Sequence, residues 1–146
     1  MTNRLAGQKI HVDANVFIYA VEGHPQFSET ARARLSFIED GSATGYTSEF
    51  TLAEVLVIPL RQNNQQLVSD YEGLLGGETA IMAVPVTRQV LRRAAEIRAK
   101  TGQKLPDCIH TATAFSSTCS IMVSLDQHLK ADGLTAIALS ELSLSP

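Results

Sequence analysis

Four acidic residues of this 146-residue chain lie in or directly beside mainly apolar segments, namely Asp13, Glu54, Asp107 and Asp126, whereas the remaining eleven of the fifteen acids stand in polar surroundings or beside glycine turns. An ionised carboxylate removed from water is costly unless it is paired or binds a cation. Clustered carboxylates repel one another, and a hard divalent cation such as Mg²⁺ or Mn²⁺ prefers an all-oxygen site between them. The four acids are therefore predicted to be metal ligands and catalytic residues.

Each acid also has a purely structural interpretation. Thr51 and Glu54 have the spacing of a capping box, and Asp13 could accept hydrogen bonds from turn amides. Asp126 could cap a short helix, and Asp107, in a first helical turn that a proline opens, could complement the helix dipole. These alternatives stay open for single residues, but four such coincidences at one edge of a sheet would be unusual.

The elements that must position the acids follow from the hydrophobic pattern. Short apolar strands alternate with helices, which is typical of an α/β domain with a parallel sheet buried on both faces. The pattern predicts strands at 10–12, 44–48, 80–84, 120–124 and 135–139, and helices at 16–20, 28–40, 51–58, 65–75, 87–101, from 106 onward and at 126–131.

This order brings the acids to one edge of the sheet. Asp13 and Asp126 directly follow strands, Glu54 lies on the helix after the second strand, and Asp107 opens the helix before the fourth strand. Ligands of open parallel sheets bind outside the carboxyl ends of the strands, where the strand order reverses. Three small polar residues near these positions are candidates for orienting the carboxylates: Asn15, Ser48 and Ser124.

Composition limits the class of protein. A chain of 146 residues with 45% hydrophobic content fits one domain, 1–146, with a core from about residue 10 to residue 139. The net charge of −3 argues against binding of nucleic acid by overall charge. Because no signal peptide or membrane span is visible, we expect a cytoplasmic protein, with Cys108 and Cys119 as reduced core thiols.

Two further segments suggest surfaces. Residues 50–60, with the helix that follows to residue 75, are more apolar than covering one small sheet requires, which predicts a homodimer interface. Residues 88–104 carry six of the twelve basic residues and one acid, and they are either a phosphate-contacting surface or an ordinary solvated helix face. The six are Arg88, Arg92, Arg93, Arg98, Lys100 and Lys104.

The histidines give no metal pattern by spacing. His11, His24, His110 and His128 do not have the separations of a zinc site. His110 lies one turn beyond Asp107 and could face the acids, although a partly buried polar side chain is the favoured interpretation.

In this order and spacing, the motifs around the four acids resemble those of the PIN-domain ribonucleases, and among them the VapC-type toxins of toxin–antitoxin pairs. The resemblance covers residues 10–139, and the family's acidic positions fall on Asp13, Glu54, Asp107 and Asp126. The segments that carry it are Val12-Asp13-Ala14-Asn15-Val16, Ser48 through Thr51 to Glu54, Leu105-Pro106-Asp107-Cys108-Ile109-His110-Thr111-Ala112-Thr113-Ala114 and Ser124-Leu125-Asp126. Two departures near the last acid are Ser124, where threonine is common, and His128-Leu129, where an aromatic residue often follows.

The resemblance implies a PIN-like fold with a parallel sheet of about five strands, Mg²⁺- or Mn²⁺-dependent cleavage of RNA, a homodimer, and inhibition by a small antitoxin protein. Two alternatives remain. The first is a PIN-like domain that binds RNA or a partner without cleaving. The second is a receiver-like phosphoacceptor domain. Such a domain would need an adjacent acidic pair near the first strand, but the residues before Asp13 are His11-Val12.

Overall fold

The structure, a computed structural model, describes residues 5–77, 79–124 and 134–138. Helices and strands alternate through these ranges, and the prediction of an α/β fold is confirmed. The strands are β1 Lys9–Val12, β2 Thr44–Ser48, β3 Ile81–Val84, β4 Ile121–Ser124 and β5 Thr135–Ala138. The helices are α1 Ala14–Glu22, α2 Ser28–Glu39, α3 Phe50–Arg61, α4 Gln65–Leu74, α5 Arg88–Thr101 and α6 Leu105–Ser116.

The five strands form one sheet in the order β3-β2-β1-β4-β5, and every neighbouring pair is parallel. The chain builds outward from β1 to β3 and then returns to the other side of β1 with β4 and β5. The strand order therefore reverses between β1 and β4, so the carboxyl end of β1 lies beside the crevice where such sheets bind ligands.

Successive side chains of β1 point to opposite faces of the sheet and therefore lie in two different layers. Ile10 and Val12 are buried in the larger hydrophobic core with residues of α1, α2 and α4. His11 points to the opposite face, in register with Tyr46 of β2 and Met122 of β4, and this face is covered by α6. A histidine in the middle of the sheet is thus placed directly under α6.

Short polar side chains determine where helices α1 and α3 begin. Asp13 is the N-cap of α1, and its Oδ1 accepts a hydrogen bond of 2.8 Å from the backbone N–H of Ala14. At the start of α3, the Ser48 Oγ accepts a hydrogen bond of 3.0 Å from the N–H of Phe50. Thr51 lies inside this helix and pairs with the Thr47 hydroxyl at 2.8 Å, so the capping box considered for Glu54 is not formed.

Some predicted boundaries differ from the structure. Helix α1 begins at Ala14 because Asp13 caps it there, and α3 continues past the buried Pro59 to Arg61. The predicted helix at 126–131 and the acid Asp126 lie outside the described residues.

Two other sequence-based expectations can be compared with the structure. The prediction of reduced core thiols is confirmed, since Cys108 and Cys119 are free and buried, and burial raises the pKa of Cys119 to about 11. None of the helices within the described ranges has the length and apolar character that crossing a membrane requires.

Candidate metal centre

The centre begins at the carboxyl end of β1, where Asp13 continues the strand pairing. Its backbone N–H donates a 3.0 Å hydrogen bond to the carbonyl of Val123 in β4, which fixes the residue at the point where strand order reverses. The side chain is 13% exposed. Asp13 is therefore a nearly buried carboxylate at the ligand-binding edge of the sheet.

Two further helices bring polar groups to Asp13. Glu54 on α3 approaches His110 on α6, with 2.5 Å between Glu54 Oε1 and His110 Nε2. The same His110 nitrogen lies 3.6 Å from Asp13 Oδ1. One ligand atom from each of these three residues lies within 4.8 Å of the other two, which is a spacing at which they could hold one metal ion.

A second buried histidine supports the first. His11 Nε2 lies 3.0 Å from His110 Nδ1, and the two rings meet edge to face with 5.2 Å between their centroids. Burial, with the neighbouring His110, lowers the pKa of His11 well below its ordinary value. Burial also acts to lower the pKa of His110, but the hydrogen bond to Glu54 and the charges of Asp13, Glu54 and Asp107 outweigh it and raise that pKa.

Asp107 is half-buried in the first turn of α6, one turn before His110. Its negative charge is close enough to help raise the pKa of Asp13. Burial is the main cause of that rise, the charges of Glu54 and Asp107 add to it, and His110 together with the Ala14 N–H opposes it. Burial and two neighbouring carboxyl groups thus make ionisation of Asp13 less favourable than in water, and His110 offsets part of this effect.

The structure brings together three of the four predicted acids. Asp13 and Glu54 are members of the cluster, Asp107 interacts with it electrostatically, and Asp126 lies outside the described residues. Sequence reasoning underestimated two histidines. His110 is fully buried against Glu54, and His11 is fully buried behind it. Their signals were the one-turn spacing of His110 from Asp107 and the two-residue spacing of His11 from Asp13.

The small polar residues predicted to orient the acids have varied roles. The Ser48 hydroxyl is engaged by the start of α3, and Ser124 is buried at the end of β4. Asn15 is half-buried on the first turn of α1. The prediction that they orient carboxylates stays a prediction.

The basic segment is largely helix α5. Arg92 forms an exposed ion pair with Glu96 at 3.5 Å, and Arg93 lies over the Phe115 ring of α6 at 5.2 Å. Arg98 donates hydrogen bonds to the carbonyls of Gly102 and Gln103, and so stabilises the loop between α5 and α6. Some of these cations therefore have structural contacts, which leaves both sequence-based interpretations of the segment open.

Comparison with known proteins matches the chain to one family model, the PIN domain, over residues 10–132. No curated protein sequence matches the chain.

Three similar solved structures have the same fold. VapC20 of Mycobacterium tuberculosis, described as a Sarcin-Ricin loop cleaving toxin, has a TM-score of 0.71 and 16% identity over 88% of this chain and 98% of that one. FitAcB of Neisseria gonorrhoeae has a TM-score of 0.65 and 20% identity over 91% and 99% of the respective chains. A toxin–antitoxin complex from Klebsiella pneumoniae has a TM-score of 0.64 and 18% identity over 91% and 99%.

Proposed function

Because the chain belongs to the PIN domain family, we propose that it is a metal-dependent endoribonuclease and the toxin of a toxin–antitoxin pair. The observation that carries the proposal is the convergence of Asp13, Glu54 and His110, with Asp107 acting on them, at the reversal point of the strand order. Similar folds occur in toxin structures, including one described as a Sarcin-Ricin loop cleaving toxin. This supports the substrate class that the sequence motifs imply.

The donor groups fit a hard divalent cation. Carboxylate oxygens are the ligands that Mg²⁺ and Mn²⁺ prefer, and the cluster places a Glu oxygen and an Asp oxygen within reach of one ion. The pKa of Asp13 is raised first by burial, with smaller contributions from Glu54 and Asp107, and a bound cation would favour its ionised form. Asp13, Glu54 and Asp107 would hold the ion, with Asp126 as a fourth ligand proposed from the motif.

The residues of this chain have separable roles in the proposed reaction. When bound, the divalent cation acts as a Lewis acid toward the phosphodiester and makes a water molecule available as nucleophile. Asp13 lies at a strand end and Glu54 on a helix. These rigid elements would hold the two carboxylates, and with them the ion, in the position that in-line attack on the phosphodiester requires. Basic side chains of α5 that are not engaged within the protein would contact phosphates of the RNA.

The rival interpretations differ from this proposal in specific ways. The receiver-like alternative is wrong, because the chain belongs to the PIN family and its strand order begins 3-2-1 instead of 2-1-3. A PIN-like domain that binds RNA or a partner without cleaving has the same fold. It is distinguished from the nuclease only by a cleavage assay.

Metal removal tests the proposal. In EDTA-treated protein, cleavage of single-stranded and structured RNA should fall to background, and Mg²⁺ or Mn²⁺ should restore it. Ca²⁺ should not restore cleavage, because its larger and looser coordination sphere misplaces the nucleophile. The measurement is gel-resolved cleavage of end-labelled RNA as a function of metal concentration, and full activity of a metal-free sample would contradict the mechanism.

The partner in the proposed toxin–antitoxin pair is a small protein that presents a basic or amide side chain to the acids. Burial is the main cause of the raised pKa of Asp13, and a cation at that position would neutralise the charges of Glu54 and Asp107 that add to it. One similar structure is described as a toxin–antitoxin complex, which supports such a partner.

A homodimer is proposed through helix α3. The helix buries Val55 and Pro59, while Val57, Ile58 and Leu60 are each at least half exposed. These three large apolar side chains of α3 point away from the core. Such a group is unusual on a surface that stays exposed to water. Sedimentation at high micromolar concentration should give a dimer mass, and Ile58→Glu should give a monomer. A wild-type protein that sediments only as a monomer would contradict this proposal.

A further inference from the structure

Two buried histidines lie directly behind the carboxylates and have no role in the proposed reaction so far. His11 and His110 are both essentially inaccessible to solvent. Polar side chains are rarely buried this completely unless their hydrogen bonds are satisfied. His11 Nδ1 has no hydrogen-bond partner among the described residues, so the contact with His110 carries the polar interactions of the His11 ring.

The direction of the hydrogen bond to Glu54 follows from chemistry. A carboxylate oxygen only accepts, so the 2.5 Å contact requires the Nε2–H of His110 to donate to Glu54 Oε1. Asp13 Oδ1, at 3.6 Å from the same nitrogen, is beyond hydrogen-bond distance. Glu54 is therefore the acceptor to which His110 is directed.

The other side of the His110 ring is anchored in the sheet. One hydrogen lies between His110 Nδ1 and His11 Nε2, which are 3.0 Å apart, and His11 is held in the middle strand of the sheet. Glutamate loses side-chain conformational entropy when it is ordered. Because His110 already holds one oxygen of Glu54, part of this side-chain entropy is lost on folding and need not be lost when the metal ion binds.

We propose that His11 and His110 are positioning residues that hold Glu54 Oε1 through a donated hydrogen bond, leave Oε2 to bind the metal ion, and keep the His110 nitrogen out of the metal coordination sphere. This inference rests on the proposed function, because it concerns the same metal centre. It assigns the centre an oxygen-only ligand set, although a histidine nitrogen lies among the carboxylates.

Two substitutions of His110 separate donation to Glu54 from simple filling of space. His110→Leu removes the donor at similar size, whereas His110→Gln places an amide N–H at about the reach of the ring Nε2. Tyr71→Phe is the matched control. It deletes the Tyr71 hydroxyl, which donates a hydrogen bond to Glu22 from another buried side chain, and neither residue belongs to the centre.

The readout is Mg²⁺ affinity of the full chain, measured by titration calorimetry. His110→Leu should weaken Mg²⁺ binding by about 10- to 100-fold, as loss of a group that supports a metal ligand usually does. His110→Gln should restore most of the affinity, and Tyr71→Phe should bind like the wild type. In RNA cleavage, His110→Leu should need more Mg²⁺ for half-maximal rate while keeping most of its rate at saturating Mg²⁺.

A spectroscopic measurement on the wild type covers the case in which His110→Leu does not fold. Long-range ¹H–¹⁵N correlation spectra should show a proton on His110 Nε2 both without metal and with saturating Mg²⁺. Loss of that proton on adding Mg²⁺ would make His110 a ligand and overturn the inference, as would unchanged Mg²⁺ affinity in His110→Leu.

Failure of the proposed function would look different. A wild-type protein that binds Mg²⁺ with the expected dependence on residue 110, yet cleaves no RNA, would contradict the nuclease and leave the positioning role intact. A wild-type protein that binds no Mg²⁺ would overturn both.

Discussion

Replacing Asp107 with asparagine is expected to slow RNA cleavage by about 100-fold or more while leaving the metal-free protein as stable as the wild type, or more stable. Burial is the main cause of the raised pKa of Asp13, and the negative charge of Asp107 adds to it. Two unit charges about 4 Å apart repel by about 4 kcal/mol at an effective dielectric constant of about 20, and asparagine removes the repulsion while keeping the size. Asp107 also acts favourably at the helix N-terminus and on His110, and we expect the removed repulsion to outweigh the loss of these interactions.

The measurement combines thermal melting with and without Mg²⁺ and a cleavage assay. The wild type should gain stability with Mg²⁺ because the ion binds only the folded chain, and Asp107→Asn should lose most of this gain. Asp70→Asn is the control, since it removes an exposed acid on α4 and should behave like the wild type in all three measurements. An Asp107→Asn protein that is destabilised without metal and fully active with it would make Asp107 an ordinary helix-start residue.

Two substitutions of Asp13 are expected to abolish activity equally but to differ in stability. Asp13 has a raised pKa in the folded protein, caused mainly by burial, so at neutral pH its ionised form is less favourable in the folded chain than in the unfolded chain. Asp13→Asn cannot ionise, yet its side-chain oxygen can still accept from the Ala14 N–H. It should therefore melt at the same or a higher temperature than the metal-free wild type.

Asp13→Ala loses the helix cap as well as the charge. Loss of an N-cap costs about 1 kcal/mol, so urea unfolding should show Asp13→Ala to be less stable than Asp13→Asn by about that amount. Both should cleave RNA at least about 100-fold more slowly than the wild type, because both remove a carboxylate that no neighbouring group replaces. Substantial activity in Asp13→Asn would show that the cap, and not the charge, is what the centre needs from this residue.

The fold was largely predictable from the sequence because its strands are short, apolar and separated by helical periodicity. The five strand positions, the parallel pairing and the position of Asp13 at a strand end all follow from that pattern. The helix boundaries were less predictable from the sequence. Residue 59 is a proline inside α3, and the structure accommodates it near the helix end, where packing of the helix outweighs the lost hydrogen bond.

The proximity of Asp13, Glu54 and Asp107 was predictable from the sequence, whereas the two buried histidines beside them were not. Carboxylates in apolar segments are costly to bury, so Asp13, Glu54 and Asp107 are conspicuous in the sequence alone. A histidine is not, because its neutral form can be buried at small cost and its partner can be anywhere in the chain. His11 and His110 are 99 positions apart, and only the pairing of β1 under α6 brings them together.

The position of β1 in the middle of the sheet also determines when activity can first arise during synthesis. Asp13 is made early, but its strand partner β4 and the helix that carries Asp107 and His110 come from the last third of the chain. A domain folds as a unit once its elements have emerged from the ribosome, so shorter nascent chains have no assembled centre. Under the proposed function, the nascent chain therefore cannot cleave RNA before α6 and β4 have both left the ribosome.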